Sequence, residues 1–256
     1  MVKYLLKKSY QQKSLKEIPF KDLWNDRGIF TTMWIKDSPH KIIFYKSHIR
    51  NLLSSLKKYK IYKKGLKDKI EKIIRSNIDR KFKYNHLLRI ALNKSTISIS
   101  LRDKLKISRK LNLKLVNYKR IDPEHKNLKY KFILNKMSNL DPKKEDICLC
   151  VNDNILETGT SNILFVSKSK IYSPLNKYYR GNNLKFFEKK FKIIKKNIKI
   201  SDLKFYDEII IIGSGKGVSS VYKITNYPWK RKNISIYKKM LRVFNLEISN
   251  KKYIYR

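Results

Sequence analysis

Cysteine is nearly missing from this sequence of 256 residues, which contains only Cys148 and Cys150. Two cysteines cannot build the disulfide framework of a small secreted domain. They stand two positions apart in the apolar run 147–151, so both are expected on the same side of one strand. Because no histidine or further cysteine is close enough in the sequence to complete a ligand set, we predict buried thiols and no metal site.

Long hydrophobic runs are also lacking. No stretch of about 18 apolar residues occurs, and the first residues, MVKYLLKKSYQQKS, do not contain the apolar core of a signal peptide. These absences predict a chain that does not span a membrane, and a reducing cytoplasm is its simplest location. The hydrophobic content of 41% is enough for a sizeable core in one globular unit or two compact lobes.

Acidic residues are scarce, with 20 Asp and Glu against 62 Lys and Arg, and the formal net charge is +42. Such a charge favours polyanions such as nucleic acid or anionic membrane surfaces. However, the lysines are scattered through every segment, together with many Asn, Ile, Tyr and Phe residues, as codon usage in an A/T-rich genome would produce. A dedicated nucleic-acid surface would cluster its charge, so nucleic-acid binding is only a distant alternative here.

The spacing of apolar residues predicts strands and helices along the whole chain. The first part should contain strands at Gly28–Ile35 and Lys41–Tyr45, helices over Ser47–Lys60 and Leu66–Phe82, and strands at Leu87–Leu92, Thr96–Leu101 and Leu113–Tyr118. The second part should contain a helix over Leu128–Met137, strands at Ile147–Val151, Ile163–Val166 and Lys170–Tyr172, a helix over Asn183–Lys196, strands at Glu208–Ile212 and Val218–Ile224, and a helix over Ile234–Phe244. Because Pro123 disfavours helix at its predecessor, we predict an N-terminal lobe over residues 1–118, a linker over 119–125 and a C-terminal lobe over 126–256.

The most informative segment is Ile155–Val166, ILETGTSNILFV, in which Glu157 precedes a turn of small residues between two apolar runs. A buried carboxylate at that position needs a cationic partner. Three further motifs accompany it: Lys126 before a helix-like run, Gly-Asn-Asn at 181–183, and Gly-Ser-Gly-Lys-Gly at 213–217 after an apolar strand. Together these motifs resemble the fold-type IV, or class IV, pyridoxal-phosphate enzymes, which include branched-chain and D-amino-acid aminotransferases and aminodeoxychorismate lyase. The resemblance implies a two-lobed fold of the α+β or α/β class, similar to D-amino-acid aminotransferase, with pyridoxal phosphate as cofactor and a homodimeric assembly.

The resemblance also implies a role for each motif. Lys126 would be the Schiff-base lysine, with Lys129 and Lys131 as competitors, and the 31 residues between Lys126 and Glu157 are close to the family spacing. Glu157 would pair with the protonated pyridine nitrogen and so keep the cofactor an electron sink. Tyr130 would contact the phenolic oxygen, and Gly181, Asn182 and Asn183 would bind the phosphate. The remaining candidates are Asn162 at the end of the turn after Glu157, Gly215, and Ser214, whose hydroxyl would contact the phosphate or the substrate carboxylate.

Two N-terminal motifs support the same family more weakly. Asp26–Thr32, DRGIFTT, resembles its opening strand, and Ser47–Leu52, SHIRNL, resembles the helix whose arginine binds phosphate. In relatives that arginine stands three residues after the histidine, whereas this chain has Asn51 there and Arg50 one position earlier, roughly 100° around a helix. Arg50 is therefore a candidate phosphate ligand, with a solvated residue on the helix face as the equal alternative.

The cofactor motifs do not distinguish the reactions of the family. The short chain and lean loops look more like aminodeoxychorismate lyase, which eliminates pyruvate and releases 4-aminobenzoate for folate. The alternative is an aminotransferase for branched-chain or D-amino acids that uses 2-oxoglutarate. Lys216 and Arg180 are expected near the mouth of the site, where they could attract a dicarboxylate in either reaction.

Overall fold

The computed structural model describes residues 3–255 of the chain. These residues form two compact units. Unit 1 contains residues 3–104, His125–Lys131 and 250–255, and unit 2 contains Leu105–Glu124 and Phe132–Ser249. The division thus falls at other residues than the lobe boundaries expected at 118 and 126. In the described part of the chain, no helix is both long and apolar enough to cross a membrane.

Unit 1 is built on a six-stranded sheet in which every pair of neighbouring strands is antiparallel. In spatial order its strands are β2 (Glu17–Ile18), β1 (Tyr4–Gln11), β6 (Thr96–Asp103), β5 (Tyr84–Leu92), β3 (Ile29–Asp37) and β4 (Lys41–Ile42). The helices α1 (Tyr45–Lys58) and α2 (Leu66–Asn77) share one core with this sheet, because Leu52 and Ile70 are buried in the same cluster as Met33 and Leu88. The second predicted strand is therefore shorter than expected, since the chain turns into α1 at Tyr45.

The segment around Lys126 pairs with the start of β3 in unit 1. The Phe30 amide donates to the Lys126 carbonyl at 2.8 Å, and the Leu128 amide donates to the Gly28 carbonyl at 2.9 Å. Leu128 is fully buried against Gly28 as a result. The predicted helix therefore begins later, at Lys131, because the residues before it are held in extended pairing.

We expect Gly28→Ala to lower the free energy of unfolding by about 2–3 kcal/mol. A Cβ atom at this position would lie 2.2 Å from the Leu92 carbonyl oxygen and 2.5 Å from Leu128 Cδ1, so the backbone of β5 or the Lys126 segment must move. Gly65→Ala is the matched control: it meets nothing within 4 Å and costs only the strain of φ +75°, about 1 kcal/mol. Denaturant unfolding of the two variants measures the difference, and equal losses would contradict the expectation.

Unit 2 contains a nine-stranded mixed sheet. Its strands, in spatial order, are β12 (Ile193–Lys196), β11 (Lys170–Pro174), β10 (Asn162–Ser167), β14 (Glu208–Gly213), β15 (Gly217–Ile224), β7 (Leu111–Asn117), β8 (Glu145–Val151), β9 (Asn154–Thr158) and β13 (Ile198–Lys199). β7 pairs in parallel with both β8 and β15, which makes it part of this sheet rather than of unit 1. The mixed α+β architecture expected from the sequence is confirmed.

Three α-helices accompany the second sheet: α3 (Lys131–Met137), α4 (Asn182–Glu188) and α5 (Ser235–Ser249). The helix predicted over Asn183–Lys196 ends at Glu188, because Ile193–Lys196 instead pairs in parallel with β11. Cys148 and Cys150 are unpaired and buried on β8, as expected, and burial raises the pKa of the Cys148 thiol.

Candidate functional site

Lys126 lies in unit 1, where it is half-buried beside the aromatic ring of Phe30. Its Nζ atom is 4.9 Å from the ring centroid, a favourable distance for an ammonium above an aromatic face. Lys129 is exposed, and its Nζ donates to the Asn25 carbonyl at 2.6 Å; Lys131 is exposed on the first turn of α3. Of the three candidate lysines, Lys126 is thus the one that unit 1 partly shields from water.

An aromatic cluster surrounds Phe30 in unit 1. Tyr130 is 8% exposed, stacks on Trp24 with 5.7 Å between ring centroids, and meets Phe30 edge-on at 5.6 Å. The Arg89 guanidinium lies 3.7 Å from the Trp24 centroid and pairs with Asp22 at 2.6 Å. Burial lowers the pKa of Arg89, and the Asp22 carboxylate opposes that effect. Nothing in the local sequence pattern distinguishes Arg89 from the other basic residues, so its position in this cluster was not predicted.

The two N-terminal motifs meet in unit 1. His48 is buried on α1, and its Nδ1 lies 2.8 Å from Oγ1 of Thr31 on β3. His48 therefore joins the helix to the strand. Arg50 is exposed to solvent on the same helix, so its role as a phosphate ligand stays a prediction.

Glu157 lies on β9 in unit 2 and is 6% exposed. Arg120 Nε donates to Glu157 Oε1 at 2.7 Å, and their side chains are only 3% and 7% exposed. Arg120 Nη2 also donates to the Pro123 carbonyl, which orients the guanidinium. A cation beside Glu157 is expected from the sequence, but Arg120 falls in the segment 119–125 that was predicted to be a linker. A buried guanidinium at this distance favours the ionised carboxylate.

The turn after Glu157 is closed by its own side chains. The Thr158 amide donates to the Ser161 carbonyl at 2.9 Å, and the Ser161 amide donates to Thr158 Oγ1 at 2.9 Å. The next residue, Asn162, accepts the Gly181 amide on Oδ1 at 3.1 Å and donates Nδ2 to the Tyr179 carbonyl at 2.6 Å. Asn162 thus joins the end of this turn to the start of α4.

The start of α4 provides buried donors. Asn182 and Asn183 are 6% and 3% exposed, and within the described chain the Asn183 Nδ2 atom is buried with no hydrogen-bond partner. A Cβ atom on Gly181 would lie 2.8 Å from Asn162 Oδ1, so the backbone approach requires glycine. A buried donor without an acceptor, beside a glycine and a helix start, fits an anion such as a phosphate group.

The glycine loop between β14 and β15 packs on the same turn. Gly213 is so close to Ser161 that a Cβ atom would lie 2.6 Å from the Ser161 Oγ. Ser214 and Gly215 are half-buried in this loop. Unit 2 therefore contains the predicted pyridine acid and the predicted phosphate residues, whereas Lys126, Tyr130 and Arg50 belong to unit 1.

Two cations expected at the mouth of the site are already engaged within unit 2. Lys216 is only 8% exposed, and its Nζ lies 3.5 Å from Asp146 Oδ2. Arg180 pairs with Glu188, although its side chain is half exposed. Lys216 is therefore not available to attract a dicarboxylate, because the loop turns that side chain toward the protein interior.

The chain is similar to known class IV enzymes over most of its length. The model of the family described as amino-transferase class IV matches residues 28–224. No curated protein sequence matches the chain. A branched-chain aminotransferase from the archaeon Thermoproteus uzoniensis, solved with norvaline, is 14% identical with a TM-score of 0.76, covering 97% of this chain and 99% of its own.

Two further solved structures share the fold. A hypothetical aminotransferase from Mycobacterium tuberculosis in a pyridoxal-phosphate-bound form is 13% identical with a TM-score of 0.68, covering 95% of this chain and 99% of its own. A candidate 4-amino-4-deoxychorismate lyase from Legionella pneumophila is 14% identical with a TM-score of 0.69, covering 86% and 91% of the two chains. The fold class, enzyme class and cofactor type expected from the sequence are thus those of the matching family. The chain belongs to the class IV aminotransferase family.

Proposed function

We propose that this chain is a pyridoxal-phosphate enzyme that eliminates pyruvate from aminodeoxychorismate, with Lys126 and Glu157 as its catalytic residues. The observation that carries the proposal is the buried Glu157–Arg120 pair, in the same unit as the Asn183 amide that lacks an acceptor. A carboxylate kept ionised suits a protonated pyridine nitrogen, and a buried donor suits the phosphate group.

The chain's own residues account for distinct parts of the chemistry. Bound pyridoxal phosphate would supply an electron sink for the carbanion formed on the substrate. Glu157 holds the proton on the pyridine nitrogen, and Arg120 keeps Glu157 ionised. Asn183 and the first turn of α4 bind the phosphate, with Ser214 and Gly215 as further contacts. The Lys126 amine takes and returns protons at the substrate carbons, as general base and then general acid.

The aromatic cluster in unit 1 supports Lys126 for this role. Phe30 lies along one side of its ammonium group, and Tyr130 and Trp24 continue the apolar wall. An apolar wall on this side partly shields the amine from water. Arg89, held in the same cluster, adds a fixed positive charge to that wall.

We rank the lyase reaction above transamination because the loops that connect neighbouring strands are short. Asn93–Ser95 join β5 to β6, and Ser214–Lys216 join β14 to β15. Short connections leave room for a bulky dianionic substrate such as aminodeoxychorismate. The alternative is an aminotransferase for branched-chain or D-amino acids, since the residues assigned to the cofactor serve either reaction. The expected homodimer also remains a prediction.

We expect the purified protein with pyridoxal phosphate to release pyruvate and 4-aminobenzoate from aminodeoxychorismate faster than it transaminates branched-chain or D-amino acids. A coupled pyruvate assay measures the first activity, and keto-acid formation from 2-oxoglutarate and an amino donor measures the second. Added salt should raise KM more than it lowers kcat, because screening weakens capture of a dianion by a chain of net charge +42. Transamination without pyruvate release would establish the alternative.

One absorbance spectrum distinguishes the proposed enzyme from the distant alternative, a nucleic-acid-binding protein without a cofactor. A cofactor bound through a lysine absorbs near the visible range, and borohydride removes that band. Protein that takes up no pyridoxal phosphate and shows no such band would refute the enzyme proposal.

A further inference from the structure

A buried ion pair lies beneath the glycine loop in unit 2. Lys216 Nζ is 3.5 Å from Asp146 Oδ2, and the two side chains are 6% and 0% exposed. Lys216 Nζ also donates to the carbonyls of Pro142 and Glu145 at 3.2 and 3.1 Å. The ammonium group thus donates two hydrogen bonds to carbonyls and lies within ion-pair distance of the Asp146 carboxylate.

Asp146 connects the same pair to the turn that follows Glu157. Its Oδ2 accepts Thr160 Oγ1 at 2.7 Å and Thr158 Oγ1 at 3.3 Å, while its Oδ1 accepts the Ile147 amide at 2.8 Å. The Gly159 amide donates to the Ile147 carbonyl at 2.9 Å, which holds the turn against β8 a second time. Asp146 therefore lies between the turn after Glu157 and the lysine of the glycine loop.

A contribution to folding stability does not by itself explain why a buried ion pair is present here. Removing two charges from water is costly, and well-packed apolar residues of similar volume are often as stable. What an ion pair with directed hydrogen bonds adds is a defined relative position of the groups it joins. Here those groups are the turn after the pyridine acid and the loop that carries Ser214 and Gly215.

We propose that Asp146 and Lys216 are positioning residues that hold the Glu157 turn and the glycine loop in one fixed arrangement for the cofactor. The pair does not contact the cofactor; it acts through Thr160 and through the backbone of the glycine loop. The inference rests on the proposed function, because it assigns these two segments to opposite ends of one cofactor.

The test compares cofactor affinity with stability in variants of the full chain. Asp146→Asn keeps the side-chain shape but leaves the Lys216 charge unpaired, so we expect a lower melting temperature and pyridoxal-phosphate binding weaker by about tenfold or more. Glu208→Gln is the matched control: Glu208 is a carboxylate 1% exposed in the same unit that accepts the Ile236 and Tyr237 amides and neither of the two segments. It should lower the melting temperature and leave the dissociation constant within about twofold.

The double variant Asp146→Asn with Lys216→Met separates positioning from folding. It removes both charges, so the melting temperature should recover relative to Asp146→Asn, while cofactor binding should stay weak because the loop has lost its tether. Recovery of binding together with stability would overturn the inference, as would unchanged binding in Asp146→Asn. Wild-type protein that binds no pyridoxal phosphate would refute the proposed function itself, whereas the other outcomes bear on the positioning role alone.

Discussion

Lys126→Ala is expected to lower turnover by at least about 10⁴-fold and to leave the fold intact. In the proposed function this amine joins the cofactor and then moves protons, and the methyl group of alanine can do neither. The lysine is half-buried, and its backbone carbonyl accepts the Phe30 amide, so the extended pairing survives although the contact between Nζ and the Phe30 ring is lost. Steady-state kinetics and a thermal unfolding curve measure the two effects.

Lys129→Ala and Lys131→Ala are the matched controls for this result. Both residues lie within five positions of Lys126 and are exposed, and Lys129 donates to the Asn25 carbonyl. Each variant should retain activity within about threefold of the wild type. Mass spectrometry after borohydride reduction should locate the pyridoxyl group on Lys126, and an adduct on either neighbour would refute the assignment.

Glu157→Gln should retain bound cofactor but lose about 10²–10⁴-fold in kcat. A neutral amide accepts a hydrogen bond but cannot hold the pyridine nitrogen protonated, so the electron sink weakens. The change also leaves the buried Arg120 guanidinium without its anionic partner, and we expect a lower melting temperature as well. The absorbance of the bound cofactor, kcat and the unfolding midpoint together separate the effects.

Glu188→Gln gives the comparison for that variant. Glu188 also accepts a hydrogen bond from an arginine, Arg180, but it lies at the last position of α4 and its partner is half exposed. Its loss should leave kcat within about threefold. A Glu157→Gln enzyme that turns over as fast as Glu188→Gln would reject the role of Glu157.

Several elements followed from local patterns in the sequence. The apolar spacing at Ile49, Leu52 and Leu56 predicted α1, and these residues are buried on one face of that helix. The run EIIII before a glycine predicted β14, whose residues are buried from Glu208 to Ile212. The predicted helix over Asn183–Lys196 was too long because pairing with a distant segment determines the structure of its last residues. Ile193–Lys196 forms a strand, since β11 provides a parallel partner about twenty residues earlier in the chain.

The candidate site shows the same division. The order and spacing of Lys126, Glu157, Gly181 and the glycine loop were enough to identify the family, because each motif is recognisable from the residues next to it in the sequence. Arg120 and Arg89 belong to no recognisable local motif, and the chain contains 62 Lys and Arg residues among which they could not be singled out. They differ from the others only in burial and in their partners, which the sequence does not reveal.

The sequence by itself determined the family and the kind of cofactor, and it predicted candidate residues for the chemistry of that cofactor. Only the tertiary structure decided which charges are available for that chemistry. Lys216 looked like a cation for substrate and is instead buried against Asp146, while Arg120 looked like part of a linker and is instead the partner of Glu157. The physical reason is that the effect of a charge depends on its distance to other charges and on its exposure to water, and both arise when distant segments pack together.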